Sequence, residues 1–218
     1  MTPLLIVANF KSHLTFPEAK NWLETFSKSN YQYKEKKVIL CPSFTLLALF
    51  KDFVDERKLP IELGAQNISR LPEGSYTGEV NGAQIKDFAN YVIIGHSERR
   101  QFGEDESVVE EKVKIAKDYN LLSILCVQNE EDKIPQEVSI VAYDPAFAIG
   151  TGNPDTPENA DEIAREIREK AKLDYVLYGG SVDSGNVKSF TSKENIDGVL
   201  VGGTSLNPLE FSKVVENA

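Results

Sequence analysis

Short apolar runs rich in Val, Ile and Leu recur along the chain, separated by stretches in which apolar positions return every three to four residues. A strand covered on both faces reads as a continuous apolar run, whereas an amphipathic helix repeats at about 3.6 residues. The runs predict eight strands: Leu4 to Ala8, Val38 to Cys41, Ile61 to Ala65, Tyr91 to Ile94, Leu122 to Val127, Ser139 to Tyr143, Tyr175 to Tyr178 and Gly198 to Val201. Helix starts are marked between them by a capping side chain, an early proline or a first-turn acid. Thr15 precedes Phe16-Pro17-Glu18, and Asp105 opens a segment carrying Val109, Val113 and Ala116. Thr156-Pro157-Glu158 leads into Ala160 to Ala171, and Asn207-Pro208 starts the last helix. Repeated β-then-α units imply a parallel sheet with right-handed crossovers, and eight of them favour a closed (β/α)8 barrel over an open doubly wound sheet.

One connection breaks the rhythm. Between Val127 and Val138 lie only Gln128 to Glu137, which include Pro135 and four acidic side chains. A parallel crossover with its own helix takes roughly a dozen residues or more. The helix between strands five and six is therefore expected to be missing or reduced to a turn, with extra packing there from a neighbouring helix or a partner subunit.

Composition sharpens this picture. The 218 residues carry 41% hydrophobic and 27% charged side chains with no linker-like stretch, which predicts one domain over 1–218. A net charge of -10 argues against nucleic acid or an anionic membrane as a partner. The first apolar run is strand-sized and follows no basic leader, so a cytoplasmic protein is expected. Cys41 and Cys126 each end an apolar run without CxxC or His spacing, which reads as buried, reduced thiols rather than a disulfide or a metal site.

In this architecture chemistry gathers at the carboxyl ends of the strands. Those ends carry Asn9 and Lys11, then Gln66 and Asn67, then His96, Ser97 and Glu98, then Asp144, then Gly179-Gly180-Ser181, then Gly202-Gly203. Asp144-Pro145 taken alone is an ordinary turn starter. Beside the others, Asp144 joins a set that suggests proton chemistry on a small phosphorylated carbonyl compound, with His96 as an electrophile or acid and Lys11 as a fixed positive charge. His13 reads as a surface residue. Three glycine-rich turns, Gly150-Thr151-Gly152, Gly179-Gly180-Ser181 and Gly202-Gly203, can present backbone N–H groups to an oxyanion, which suits a phosphorylated substrate in an acidic chain. Neither Walker spacing nor GxGxxG occurs, so no nucleotide cofactor is expected.

Seven motifs, in order and spacing, resemble the triosephosphate isomerase family: Asn9-Phe10-Lys11, Gly64-Ala65-Gln66-Asn67, Tyr76-Thr77-Gly78-Glu79, Gly95-His96-Ser97-Glu98-Arg99-Arg100, Ala148-Ile149-Gly150-Thr151-Gly152, Tyr178-Gly179-Gly180-Ser181 and Val201-Gly202-Gly203. The resemblance covers nearly the whole chain. It implies a closed (β/α)8 TIM barrel and cofactor-free interconversion of dihydroxyacetone phosphate and D-glyceraldehyde 3-phosphate through an enediol(ate). It also implies Asp144 as base, a neutral His96 kept so by a helix N-terminus, Lys11 and Asn9 at the oxyanion, and Glu98 supporting Lys11. Gly150, Ser181, Gly202 and Gly203 would hold phosphate, and Pro145 to Thr151 would form a closing lid. The connection from Gln66 to Val80 resembles the family's dimer loop, with Gln66, Thr77 and Glu79 as its markers. Thr77 would reach the partner's Asn9 and the partner's Lys11, giving a homodimer.

The chain departs from the family where the chemistry is sharpest. Family members carry Glu where this chain has Asp144, and typically Val-Trp where it has Ala146-Phe147. Asp is one methylene shorter, and a misplacement of roughly 1 Å can cost about 100-fold in rate. The expectation is reduced activity, unless the smaller Ala146 and Phe147 let the strand end or lid move inward. Two other readings stay open on the residues: a non-catalytic phosphate-binding barrel, and an isomerase or lyase acting on another sugar phosphate. Asn9, Lys11, His96 and Glu98 speak against the first, since a binder needs only the glycine turns.

Overall fold

The computed structural model describes residues 2–29, 35–145, 147–148 and 152–218. Its eight strands are β1 (Leu4–Asn9), β2 (Lys36–Cys41), β3 (Ile61–Ala65), β4 (Tyr91–Ile94), β5 (Leu122–Val127), β6 (Ile140–Tyr143), β7 (Tyr175–Tyr178) and β8 (Gly198–Val201). All pair in parallel with their sequence neighbours, and β1 closes on β8, with Leu5 opposite Gly198 and Ala8 opposite Val201. The helices are α1 (Phe16–Phe26), α2 (Leu47–Arg57), α3 (Gly82–Lys86), α4 (Ser97–Gln101), α5 (Glu106–Asp118), α6 (Pro157–Lys170), α7 (Val187–Thr191) and α8 (Pro208–Asn217). The expected barrel is therefore the observed one, and Thr156 and Asp105 cap α6 and α5 as their positions predict, accepting from the Asn159 and Val108 N–H groups.

Strand alternation divides the core in two. Leu5, Val7, Ile39, Tyr91, Ile93, Ile124, Ile140, Ala142, Leu177 and Leu200 face inward and fill the barrel lumen. The alternate positions, among them Ile6, Ala8, Val141, Tyr143, Tyr178 and Val201, pack outward against the helices. Around α1 this outer layer is aromatic. Phe10 meets Trp22 edge-on at 4.9 Å, Trp22 stacks on Phe26 at 4.7 Å, and Phe211 of α8 lies 5.5 Å from Phe26. The Trp22 indole N–H donates to the Ser205 carbonyl at 2.9 Å. That bond fastens α1 to the short 3-10 turn Gly203–Leu206 after β8.

Between β5 and β6 the chain forms turns and no helix, as expected. Neighbouring helices engage the gap, as expected, and the connection adds apolar side chains of its own. Val138 is buried and Ile134 packs on the outer core. Lys133 pairs with Glu110 of α5, and Lys170 of α6 donates to the Glu130 carbonyl at 2.5 Å. Two inserted apolar side chains and one tie to each flanking helix take the place of a helical face.

Candidate active site

The alternation that fills the lumen also aims the site. Continuing the inward register of Leu5 and Val7 gives Asn9, continuing Ile140 and Ala142 gives Asp144, and continuing Leu177 and Leu200 gives Gly179 and Gly202. Two of these four strand ends therefore offer polar side chains to the mouth and two offer bare backbone, against which Asp144 (at Gly179) and Lys11 (at Gly202) pack closely. His96 breaks the register, because Gly95 takes a left-handed backbone (φ 69°) that turns the chain before α4. Asn9, Lys11, His96, Asp144, Ser181, Gly202 and Gly203 all line one cavity of 230 Å³. Gly150 and Ala146 lie outside the described residues, as do Ile149 and Thr151 of the expected lid.

Asp144 is 2% exposed at the cavity floor. Its Oδ2 lies 3.5 Å from His96 Nε2 and accepts from the Ser97 hydroxyl at 3.4 Å. Its backbone N–H continues the β5–β6 ladder by donating to the Val127 carbonyl at 2.8 Å. Burial disfavours the charged carboxylate and pushes its pKa up to about 7, against the opposing pull of Lys11 and the Ser97 hydroxyl. The Ser97 contact had no counterpart in the sequence reading; its only signal was adjacency to His96.

His96 is the N-cap residue of α4, and its Nδ1 accepts from the Glu98 N–H at 3.2 Å. A nitrogen that accepts a hydrogen bond carries no proton, so the neutral ring bears its hydrogen on Nε2, the nitrogen facing Asp144. Burial lowers the His96 pKa to about 4, with the Lys11 charge adding to the effect and Glu98 opposing it. The imidazole is thus neutral at pH 7. The helix terminus fixes its tautomer, while desolvation is the larger influence on its charge.

Lys11 adopts a left-handed backbone (φ 52°), a conformation costing on the order of 1–3 kcal/mol for a residue with a side chain. Asn9 supports it: the Lys11 N–H donates to Asn9 Oδ1 at 3.0 Å. The ammonium reaches Glu98 Oε1 at 2.6 Å. Glu98 lines a second hollow of 280 Å³, shared with Gln66 and Phe102.

The wall opposite is built of glycine turns. Ser181 also takes φ 50°, its hydroxyl donates to the Ala148 carbonyl at 2.5 Å, and Asn186 Nδ2 holds its carbonyl at 3.0 Å. Thr204 links the two turns by donating to the Val182 carbonyl at 2.7 Å. A Cβ on Gly203 would meet nothing within 4 Å, so this turn opens to the cavity. The markers of the 66–80 loop lie elsewhere. Gln66 donates to the Cys41 carbonyl at 2.8 Å, Glu79 accepts from the Ser69 hydroxyl at 2.5 Å, and every residue from 72 to 79 is exposed, Thr77 included. His13 is exposed, as expected. Among the described residues no group of three or more His, Cys, Asp or Glu side chains could hold a metal ion.

A (β/α)8 barrel with a buried carboxylate, a neutral imidazole and an ammonium around one small cavity belongs to the class of barrel proteins with a chemically furnished strand-end mouth. A family model described as Triosephosphate isomerase matches residues 4–218. Curated relatives named triosephosphate isomerase include those of Dictyoglomus turgidum, 36% identical over 98% of both chains, and Trichodesmium erythraeum, 38% identical over 99% of both. That of Mesomycoplasma hyopneumoniae is 34% identical over 98% of this chain and 99% of its own. The chain belongs to the triosephosphate isomerase family.

Proposed function

We propose that this protein interconverts dihydroxyacetone phosphate and D-glyceraldehyde 3-phosphate without a cofactor. The observation that carries the reading is the 3.5 Å approach of a buried carboxylate, Asp144, to the protonated nitrogen of a neutral imidazole, His96. In this mechanism Asp144 takes the proton from the carbon next to the carbonyl. The released electron pair forms the enediolate double bond, and the carbonyl oxygen becomes an oxyanion. The His96 Nε2–H donates to that oxygen, and the Lys11 ammonium and Asn9 stabilise its charge in a site that excludes bulk water. His96 passes its Nε2 proton to that oxyanion and takes the proton of the adjacent hydroxyl in exchange; Asp144 then returns the carbon-derived proton to the neighbouring carbon as that adjacent oxygen becomes the new carbonyl. Glu98 holds Lys11 in place, while Ser181, Gly202, Gly203 and Gly150 grip the phosphate through backbone N–H groups. The lid from Pro145 to Thr151 shields the enediolate from phosphate loss.

A homodimer is part of the same proposal. The exposed 72–79 segment projects from the barrel with Tyr76 42% exposed, and the 280 Å³ hollow beside Lys11 and Phe102 is open to receive the Thr77 tip of a second copy. A cytoplasmic setting is proposed as well, supported by two free, buried cysteines and by the finding that no helix among the described residues is long and apolar enough to cross a membrane.

The test is turnover of dihydroxyacetone phosphate by purified protein, with glyceraldehyde 3-phosphate and methylglyoxal followed together by NMR. Dominant isomerisation supports the reading. Methylglyoxal as the main product points to a lyase, and binding without turnover points to a phosphate-binding barrel.

A further inference from the structure

Two buried phenols converge on one residue that lies outside the cavity. Tyr143 ends β6 immediately before Asp144, and Tyr178 ends β7 immediately before Gly179; they are 4% and 1% exposed, with ring centroids 6.1 Å apart. The Tyr143 hydroxyl donates to Asp155 Oδ2 at 3.1 Å, and the Tyr178 hydroxyl accepts from the Asp155 N–H at 2.7 Å. The carboxylate is itself aimed by the start of α6. Oδ1 accepts from the Thr156 N–H at 2.7 Å and Oδ2 from Asn159 Nδ2 at 2.7 Å. Asp155 does not line the 230 Å³ cavity.

The register of β6 makes this arrangement matter to the chemistry. Tyr143 points outward and Asp144 inward, across one rigid, planar peptide. A shift of the Tyr143 ring is therefore transmitted to the Asp144 carboxylate. A phenol in the outer core needs a partner for its hydroxyl, and Asp155, just before α6 and bonded to its cap Thr156 and to Asn159, fixes the ring to the start of that helix. We propose that Asp155 is a positioning residue: its carboxylate, acting through Tyr143, holds the end of β6 so that Asp144 meets the cavity beside His96. The rate consequence rests on the isomerase reading above; the geometric claim does not.

The test compares Asp155→Ala, Asp155→Asn, Tyr143→Phe and the Asp155→Ala/Tyr143→Phe double variant. Each of them keeps the backbone N–H at 155 that the Tyr178 hydroxyl accepts, so the turn after β7 is left in place. For Asp155→Ala, kcat is expected to fall on the order of tenfold with KM unchanged, the signature of a misplaced base rather than a damaged phosphate grip. Asp155→Asn retains one acceptor oxygen and is expected to recover part of the loss. Tyr143→Phe should reproduce the alanine variant, and the double variant should be no worse than either single one. Amide exchange at Asp144, whose N–H is bonded to the Val127 carbonyl at 2.8 Å, should accelerate in Asp155→Ala. Wild-type kcat together with wild-type exchange at Asp144 overturns the proposal, as do additive losses in the double variant or a raised KM at unchanged kcat. A wild-type protein without isomerase turnover overturns the function reading instead, and exchange at Asp144 still decides the role of Asp155.

Discussion

Gly179 and Asp144 face each other across the β6–β7 seam with no room to spare: a Cβ placed on Gly179 would lie 3.1 Å from Asp144 Oδ1 and 3.2 Å from Asp144 Cβ. The glycine there is a requirement of the neighbouring strand end, where the Tyr143 carbonyl oxygen also lies 3.3 Å away, and not of a left-handed backbone at 179. Gly179→Ala is expected to displace Asp144 by a few tenths of an ångström and lower kcat by about tenfold. Steady-state kinetics should show KM for the phosphorylated substrate changing much less.

The acid limb of activity follows from burial of Asp144. Its pKa is pushed up to about 7, and only the carboxylate can act as a base, so kcat/KM should rise with pH through about 7 with unit slope. The His96 pKa, lowered to about 4, adds no limb near the ordinary imidazole value. A pH–rate profile of the free enzyme with a single limb near 6.5 that moves on substituting His96 would contradict this assignment.

The same burial sets a pH-dependent cost to stability. The folded protein holds the Asp144 proton more tightly than the unfolded chain, whose Asp has a pKa of about 3.9, so this group's contribution declines as pH rises from about 4 through 7. His96 works in the opposite sense between its folded value near 4 and the ordinary value of about 6.5, where stability increases with pH. Asp144→Asn removes the first dependence alone. The variant should melt several degrees above wild type at pH 8 and nearly level with it at pH 4, while isomerase activity falls by about 1,000-fold or more. Paired thermal melts at the two pH values check it.

Lys112 of α5 and Glu104 form a pair buried to 4% and 7% exposure, at 2.5 Å. Lys112 also donates to Asn67 at 2.7 Å, and Arg99 Nε joins the same Glu104 oxygen at 2.6 Å. The cluster thus ties α4, α5 and the root of the 66–80 connection together. Lys112→Met removes one partner from a desolvated carboxylate and should destabilise the fold by about 3 kcal/mol. Urea unfolding at a fixed chain concentration measures it.

If the projecting loop seats on a second copy, replacing residues 72–78 with a short glycine-containing turn should yield monomers. Sedimentation analysis reads the mass directly, and kcat should fall with it because the second copy borders the Lys11 side of the site. An unchanged oligomer after the deletion places the interface elsewhere.

The barrel was legible because continuous apolar runs and capped helix starts are local signals, and the strand limits agree with them within two residues, as at Lys36 for β2. The missing helix between β5 and β6 was legible by chain length alone. Which side chains cover that gap was not, since the inward turn of Ile134 and the tie from Lys133 to Glu110 depend on where α5 lies. At the site, the residue types at strand ends pointed to Asn9, His96 and Asp144, which the structure gathers around one cavity. The roles of Ser97 and Asp155 could not be read in the same way. Ser97 touches Asp144 across 47 positions of sequence, and Asp155 reaches back past the loop to Tyr143, so both are products of packing rather than of pattern.

The shortened β5–β6 connection bears on how the barrel assembles. Twelve residues, 128–139, separate these strands, whereas 31 residues, 144–174, separate β6 from β7. Loop closure over the shorter span is less costly in chain entropy by roughly 1 kcal/mol, and a lower sequence separation favours early pairing. The β5–β6 seam, which carries Asp144 at its end, is thus the least expensive parallel pairing in the ring to nucleate. Conservative truncations there, such as Val141→Ala, should slow refolding more than they speed unfolding.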